Sequence, residues 1–328
     1  MPRFIGNVDP TASPVNYKSV FDLRAQYQER AEDNWPTGAV DVEIKTWGAG
    51  GGGGYWGGGS SGSGGAGGFC KGTASLAAGT TLYIVVGSAG AVATSNNQGS
   101  QAASAGGNGS AGYYSNGHAG GIGGGYSGVF TGSSTSDVSQ ANALVIAGGG
   151  GGASSYDRSG EDESGGGGGG TTGGAGVNSP NGGGGGTQSA GGSSADGTAG
   201  TALKGGNVAT SESNQMGAGG GGGGYYGGGA GSITGSSGSE ESGGGGGGSG
   251  YVKSGLTNTA NLAGNNGVAG STTGQITAIH STASSDSNYT GSYGKGGGFN
   301  SAGNQGYVVI IDGAGANTFT SSQSYTIR

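Results

Sequence analysis

With 93 glycines against 5 prolines in 328 residues and no strict Gly-X-Y period, the chain is neither a collagen nor a proline-rich linker. Lys and Arg number 11 against 18 Asp and Glu, a formal net charge of -7 that opposes non-specific nucleic-acid binding and excludes the RNA-binding glycine-rich class. Apolar residues are 30% of the chain and fall in short bursts, enough for one small β domain, so the bulk must be held another way.

Residues 1–38 differ in composition from the rest of the chain and are expected to form an N-terminal attachment arm with a short helix. An extended arm punctuated by Pro2, Pro10 and Pro14 leads to Ser19, a helix-capping residue with Asp22 three positions on. Val20, Leu23 and Tyr27 then give one apolar face, which predicts a short amphipathic helix over 19–32, broken at Trp35-Pro36. A lone helix of that length is marginal in water, so its face needs a partner. That partner is either the protein's own sheet or a larger assembly into which Val20, Leu23, Tyr27 and Trp35 plug. No apolar run of signal-peptide length and no stretch of ~18 apolar residues occurs, so synthesis in a cytoplasm and no membrane insertion are expected. The single cysteine, Cys70, allows no intramolecular disulfide.

The central region, 39–312, alternates strand signals with glycine runs. Val40, Val42 and Ile44 alternate with Asp41, Glu43 and Lys45, the period of a strand with one buried and one wet face. Leu82–Val86, Leu144–Ala147 and Tyr307–Ile311 are continuous apolar bursts that predict central strands, and Phe319 to Ile327 predicts a last one within a C-terminal strand region, 313–328. Between them lie glycine runs at 50–54, 148–152, 165–170, 182–186, 219–224, 243–248 and 296–298.

A glycine run has no side chain to bury and loses more backbone entropy on ordering than any other residue, so it is either disordered or stabilised by backbone contacts alone. Polyproline II helices packed side by side meet the second condition, because each outward-pointing amide and carbonyl can pair with a neighbour and only glycine allows the close approach. The expected fold is therefore mainly β, a small sheet domain from which a lattice of left-handed glycine helices projects, with inserts at the helix ends facing outward.

Chemistry is thin. Gly-x-Gly-x-x-Gly matches mean nothing in this background, and no Gly-Lys-Ser/Thr loop follows. His118 and His280 have no partner at metal-ligand spacing, and Glu161, Asp162 and Glu163 form an acidic loop that is either solvated or a calcium site built with loop carbonyls. No catalytic residue, cofactor or metal is assigned, and no enzyme is expected. The 15 tyrosines and 3 tryptophans are the notable stock, since their rings combine large contact area with a polar handle. Trp56, Tyr113, Tyr114, Tyr225 and Tyr226 are the candidate contacts for a binding partner; the alternative is that they wedge between glycine segments as packing.

The ordering Trp47-Gly48-Ala49-Gly50-Gly51-Gly52, Ile84-Val85-Val86-Gly87, Val145-Ile146-Ala147-Gly148-Gly149-Gly150 and Gly306-Tyr307-Val308-Val309 resembles the glycine-rich domain of bacteriophage tail-fibre and adhesin proteins. It also resembles the glycine-rich domain of the anaplastic lymphoma kinase receptor family, but that family's cysteine-rich neighbours and membrane span have no counterpart here. Phe21-Asp22-Leu23 with Tyr27 and Asn34-Trp35-Pro36 looks like the segment preceding such domains in phage virion proteins. The resemblance implies a polyglycine II sandwich in a virion tail protein whose loops contact a host surface polysaccharide or outer-membrane protein. It further implies that the N-terminal segment joins other virion proteins. Two alternatives stay open: a virion part without receptor binding (capsid fibre, collar or connector), and a cellular matrix domain. A homotrimer is common among phage fibres, whereas a glycine lattice is complete within one chain, so copy number is open.

Overall fold

The computed structural model describes residues 38–57, 61–93, 114–115, 117–155, 163–177, 180–209, 216–234, 241–268, 270 and 277–328. The expected N-terminal helix, with Val20, Leu23, Tyr27 and Trp35, lies outside them. In chain order the strands are β1 (Ala39–Trp47), β2 (Tyr55–Trp56), β3 (Phe69–Ala77), β4 (Thr81–Val85), β5 (Tyr114–Ser115), β6 (His118–Ala119), β7 (Ser127–Thr131) and β8 (Ala143–Ala147). They continue with β9 (Ile233–Thr234), β10 (Glu241–Ser242), β11 (Tyr251–Val252), β12 (Thr257–Leu262), β13 (Tyr307–Asp312), β14 (Gly315–Phe319) and β15 (Gln323–Thr326). The protein is mainly β and its ladders are antiparallel.

Two five-stranded sheets, ordered β12-β3-β1-β13-β14 and β11-β8-β7-β4-β15, face each other. Period-two alternation sends Val42 and Ile44 of β1 and Val308 and Ile310 of β13 inward, where they meet Leu82 and Ile84 of β4, Val129 of β7 and Val145 of β8. These side chains are fully buried, and burial of each stabilises the sandwich by roughly 1.5–3 kcal/mol. Cys70 sits in the same core, where burial pushes its thiol pKa far up and leaves it inert; its Sγ donates to Asn261 Oδ1. The stretch expected as one last strand is divided: Phe319 ends β14 beside β13, and β15 pairs with β4 in the other sheet.

The face of β1 expected to be wet is covered near its end. Trp47 packs on Phe69 and Tyr307, with ring centroids 4.7 and 5.5 Å apart, and its Nε1 donates to the Ala283 carbonyl of a helical turn, Ser281–Ser284. Lys45, 6% exposed, reaches Asp286 at 3.0 Å and Asn288 at 2.8 Å, so its charge is paired and hydrogen-bonded rather than solvated.

Beyond the strands, the glycine segments carry neither helix nor strand hydrogen bonds along themselves. Their partners repeat every third residue. In 48–54, the amides of Gly48, Gly51 and Gly54 donate to the carbonyls of Gly68, Gly65 and Gly62. Those of Ala49 and Gly52 donate to Gly125 and Ile122, and those of Gly50 and Gly53 to Asn304 and Ser301, all seven bonds being 2.9–3.1 Å long. The same segment accepts from Gly150 and Ala153, from Gly90, and from Gly297 and Asn300, so neighbours surround it on six sides.

Segment 148–155 repeats the arrangement. It donates in turn to 217–223, 49–52 and 163–166, and it accepts from 65–68, 121–124 and 245–248. Segment 243–250 does the same, donating to 226–232, 170–177 and 149–152. A Cβ on Gly51, Gly150 or Gly245 would collide with the carbonyl oxygen of Gly151, Gly65 or Gly220 respectively. The side chains tolerated inside the array are small and buried, such as Ala49, Ala153, Ser154 and Ala218.

Each net backbone hydrogen bond contributes roughly 1 kcal/mol, about what ordering one residue costs. A single glycine segment therefore does not order alone; it needs neighbours on all sides and an anchor at one end.

This geometry sets the cost of substitution. Gly150→Ala is expected to destabilise the protein by about 1–3 kcal/mol, because the obstructing atoms are backbone on a neighbouring segment. Gly57→Ala, with nothing within 4 Å of its Cβ, is expected to leave stability unchanged; denaturant melts of the two variants against the parent check this.

Candidate functional site

Register places every turn of the glycine array at one of two ends. Segment 48–54 leaves the sandwich at Trp47, so residue 54 is distal; 148–155 likewise leaves at Ala147. Gly248 bonds to Gly149 and Gly245 to Gly152, so 243–250 runs back toward the sandwich and enters β11. Gly149, Gly152 and Ser155 donate to Gly223, Gly220 and Gly217, so 217–224 also runs toward the sandwich. By this reckoning the chain turns at the sandwich end around 170–173, 187–190, 201–204 and 225–226. The described residues flanking 58–60, 94–113, 156–162, 210–215 and 235–240 lie at the distal end.

Both ends of the described chain sit at the far end of the sandwich from these distal connections. Ala39 pairs with Ala77 at the start of β1, and Gly79 donates to Ile327. Asp312 fixes the last residue by accepting from Arg328 N at 3.0 Å, Tyr325 Oη at 2.8 Å and Ala314 N at 2.9 Å. Burial opposes ionisation of Asp312, but those hydrogen bonds and the Arg328 charge outweigh it and hold its carboxyl below the usual aspartate range.

At the distal end a small sheet, ordered β2-β6-β5, caps segments 48–54 and 119–126. Tyr55 pairs with Ala119 and Trp56 with His118; Tyr114 pairs with Ala119 from the other side. Trp56 is half-buried and its ring lies nearly parallel to His118, centroids 6.2 Å apart and planes at 27°. Tyr55 lies similarly against Phe299, at 6.0 Å and 25°. Tyr113 is outside the described residues.

Tyr225 and Tyr226 are at the opposite end. Tyr225 stacks on Tyr251 with centroids 4.1 Å apart and planes at 8°, meets Tyr226 edge-on, and packs with Leu203 on the outer face of the β8–β7–β4 sheet. Burial, then the neighbouring Tyr251 and Tyr226 hydroxyls, raise its pKa. Gln140 Nε2 donates to its carbonyl and closes the corner. The structure therefore does not bring Trp56 together with Tyr225 and Tyr226, and Tyr225 wedges into packing.

Tyr55, His118 and Phe299 were absent from the sequence-derived candidates. The available signal was an aromatic residue directly after a glycine run, as in Gly54-Tyr55 and Gly298-Phe299. His280 instead caps the Ser281–Ser284 turn, its Nδ1 accepting from Thr282 N. Glu163 is 3% exposed and its carbonyl accepts from Ser154, while Glu161 and Asp162 lie outside the described residues. Among the described residues no three His, Cys, Asp or Glu side chains are grouped to hold a metal ion, and no helix is long and apolar enough to cross a membrane.

No protein-family model matches the chain, and no curated protein is significantly similar to it.

The contrast between the two aromatic groups is measurable. Tyr225→Ser removes a stacked, packed ring and is expected to cost about 2–4 kcal/mol; Trp56→Ser, outside the hydrophobic clusters of the described residues, is expected to cost less, both read from denaturant midpoints.

Proposed function

We propose that the chain is a bacteriophage virion protein, a tail-fibre or tail-tip adhesin, whose glycine segments are polyglycine II helices packed as a lattice that holds receptor-binding loops. The three-residue period of the inter-segment hydrogen bonds supports the helix assignment, since polyproline II backbone has three residues per turn and no bonds within itself. Six bonded neighbours around 48–54, 148–155 and 243–250 support the lattice.

The observation that carries the functional reading is polarity. Residues 38 and 328 lie at one end, and the residues flanking the long inserts gather at the other. Nine residues of β1 at ~3.3 Å and seven glycine-segment residues at ~3.1 Å separate the two ends by about 50 Å. A protein that joins a particle through residues 1–37 thereby carries its inserts away from the particle. The backbone bonding fixes the feet of every insert before contact, which lowers the ordering cost of binding. The N-terminal segment is the joint to other virion proteins, and the distal inserts contact a surface receptor on the host cell.

Infection competition tests this reading. Purified protein added to a susceptible strain is expected to reduce plaque number in a dose-dependent way, and exchange of the insert 94–113 for a Gly-Ser linker is expected to abolish the effect without altering the melt. Strong blocking that survives replacement of all distal inserts would contradict the assignment of those inserts. Absence of cell binding by the folded protein across susceptible strains favours a virion part that does not engage a receptor.

A further inference from the structure

The outer face of the β8–β7–β4 sheet carries a group of tyrosines whose packing is incomplete. Tyr225 and Tyr251 close on each other, but the one ring contact of Tyr226 among the described residues is edge-on with Tyr225, at 5.6 Å and 84°. Tyr226 belongs to none of the hydrophobic clusters. All three rings stay half-buried, as do Leu203 and Val138 beside Tyr225, so apolar surface remains open to water at this place. Leu203 is held at φ 61°, a left-handed conformation that a bulky side chain rarely adopts, and the turn that imposes it lays the leucine against Tyr225.

Two lysines border this apolar strip. The Lys253 amide donates to the Leu144 carbonyl and extends the β11–β8 ladder, which puts its side chain on the same face as that of Tyr251. Lys204 closes the 201–204 turn, where its carbonyl lies against Gly227, next to Tyr226. Both lysines are exposed, and the ion pairs among the described residues are those of Lys45, so neither is neutralised. The one carboxylate of the adjoining 132–142 loop, Asp137, is turned into its own turn, accepting from Ser133 N, Ser134 N and Ser134 Oγ at 2.9–3.1 Å. In a chain of net charge -7 the strip is locally cationic.

This combination selects a class of ligand. Aromatic and aliphatic groups at the centre with cations at the rim are the pattern of a protein-binding surface, where the centre excludes water and the rim charges steer and select the partner. A sugar ring lies on an open aromatic face, whereas the faces of Tyr225 and Tyr251 are turned to each other. Two lysines are too few to hold the phosphate backbone of a nucleic acid. The complement is a polypeptide that carries carboxylates on either side of an apolar or aromatic side chain. The strip lies at the foot of the glycine array, on the sandwich half of the molecule, so its partner does not compete with a ligand of the distal inserts.

We infer that Lys253, Tyr251, Tyr226, Leu203 and Lys204 form a docking surface for an acidic polypeptide segment of another protein. Its occupation is independent of what the distal inserts bind. The test titrates the full chain into a fluorescent copolymer of glutamate and tyrosine at low and at high salt, with polygalacturonate as an acidic polysaccharide and sedimentation of the protein alone alongside. The surface predicts copolymer binding that weakens with salt and falls about tenfold or more both in Lys204→Glu/Lys253→Glu and in Tyr226→Ala. Binding is expected to be unchanged in Lys71→Glu, which reverses a charge on the other sheet. Absence of copolymer binding by the parent, or binding that the two lysine reversals leave unchanged, overturns the surface. Polygalacturonate bound as tightly as the copolymer and lost in the same variants overturns the polypeptide assignment. Self-association of the parent that those variants abolish gives the surface to a second copy of the chain and overturns the assignment to another protein.

Discussion

The hydrogen bond between one glycine segment and the next is the interaction on which this structure depends. Within 48–54, 148–155 and 243–250 no amide bonds along its own segment; each is paired sideways, with the direction of the partner turning every residue and repeating every third. That arrangement satisfies buried backbone polar groups without a sheet, but only while neighbouring backbones approach closely enough to bond. Carbonyl oxygens occupy the space where side chains would begin at Gly51, Gly150 and Gly245, so the composition follows from the bonding. Alanine and serine enter only where the array leaves room for a Cβ, as at Ala49 and Ser154.

Such an array has nothing to start it. A glycine segment offers no apolar face to collapse, and one hydrogen bond per residue about offsets its ordering cost. The sandwich supplies the missing nucleus: β1, β8 and β13 are held by a conventional core of Val, Ile and Leu, and each continues without a break into or out of a glycine segment. Trp47 and Tyr307 sit at that junction, clamped by Phe69 and the 281–293 stretch, so the directions of the first segments are fixed where they leave the sheets. The other glycine segments bond to these or to one another. In the proposed function this gives the loops at one end a support whose backbone is hydrogen-bonded to neighbours on every side.

Much of the sandwich was legible from periodicity. Val40, Val42 and Ile44 announce β1, and the apolar bursts at 82–86, 144–147 and 307–311 announce β4, β8 and β13. The strands β3 and β7 gave no such signal because crowding selects small residues in them, and β12 gave none because it is an exposed, polar edge strand. A side chain at Gly72 would meet Leu256 and Val252, and one at Gly128 would meet Phe130 and Ile146. The candidate aromatics fail for a different reason. Gly-Gly-Tyr-Tyr at 225–226 and Gly-Gly-Tyr-Trp at 55–56 are nearly the same local sequence, yet they fall at opposite ends of the array. Whether a glycine segment runs toward or away from the sandwich is decided by contacts far apart in sequence, and no local pattern carries that information.

Amide hydrogen exchange followed residue by residue tests the central claim most directly. Sideways bonding predicts that the amides of Gly51, Gly150 and Gly246 exchange as slowly as those of Ile44 and Val309 in the sheets, and that they lose protection together with them as denaturant is added. Exchange of the glycine amides at the rate of free peptide, while the sheet amides stay protected, would contradict the account.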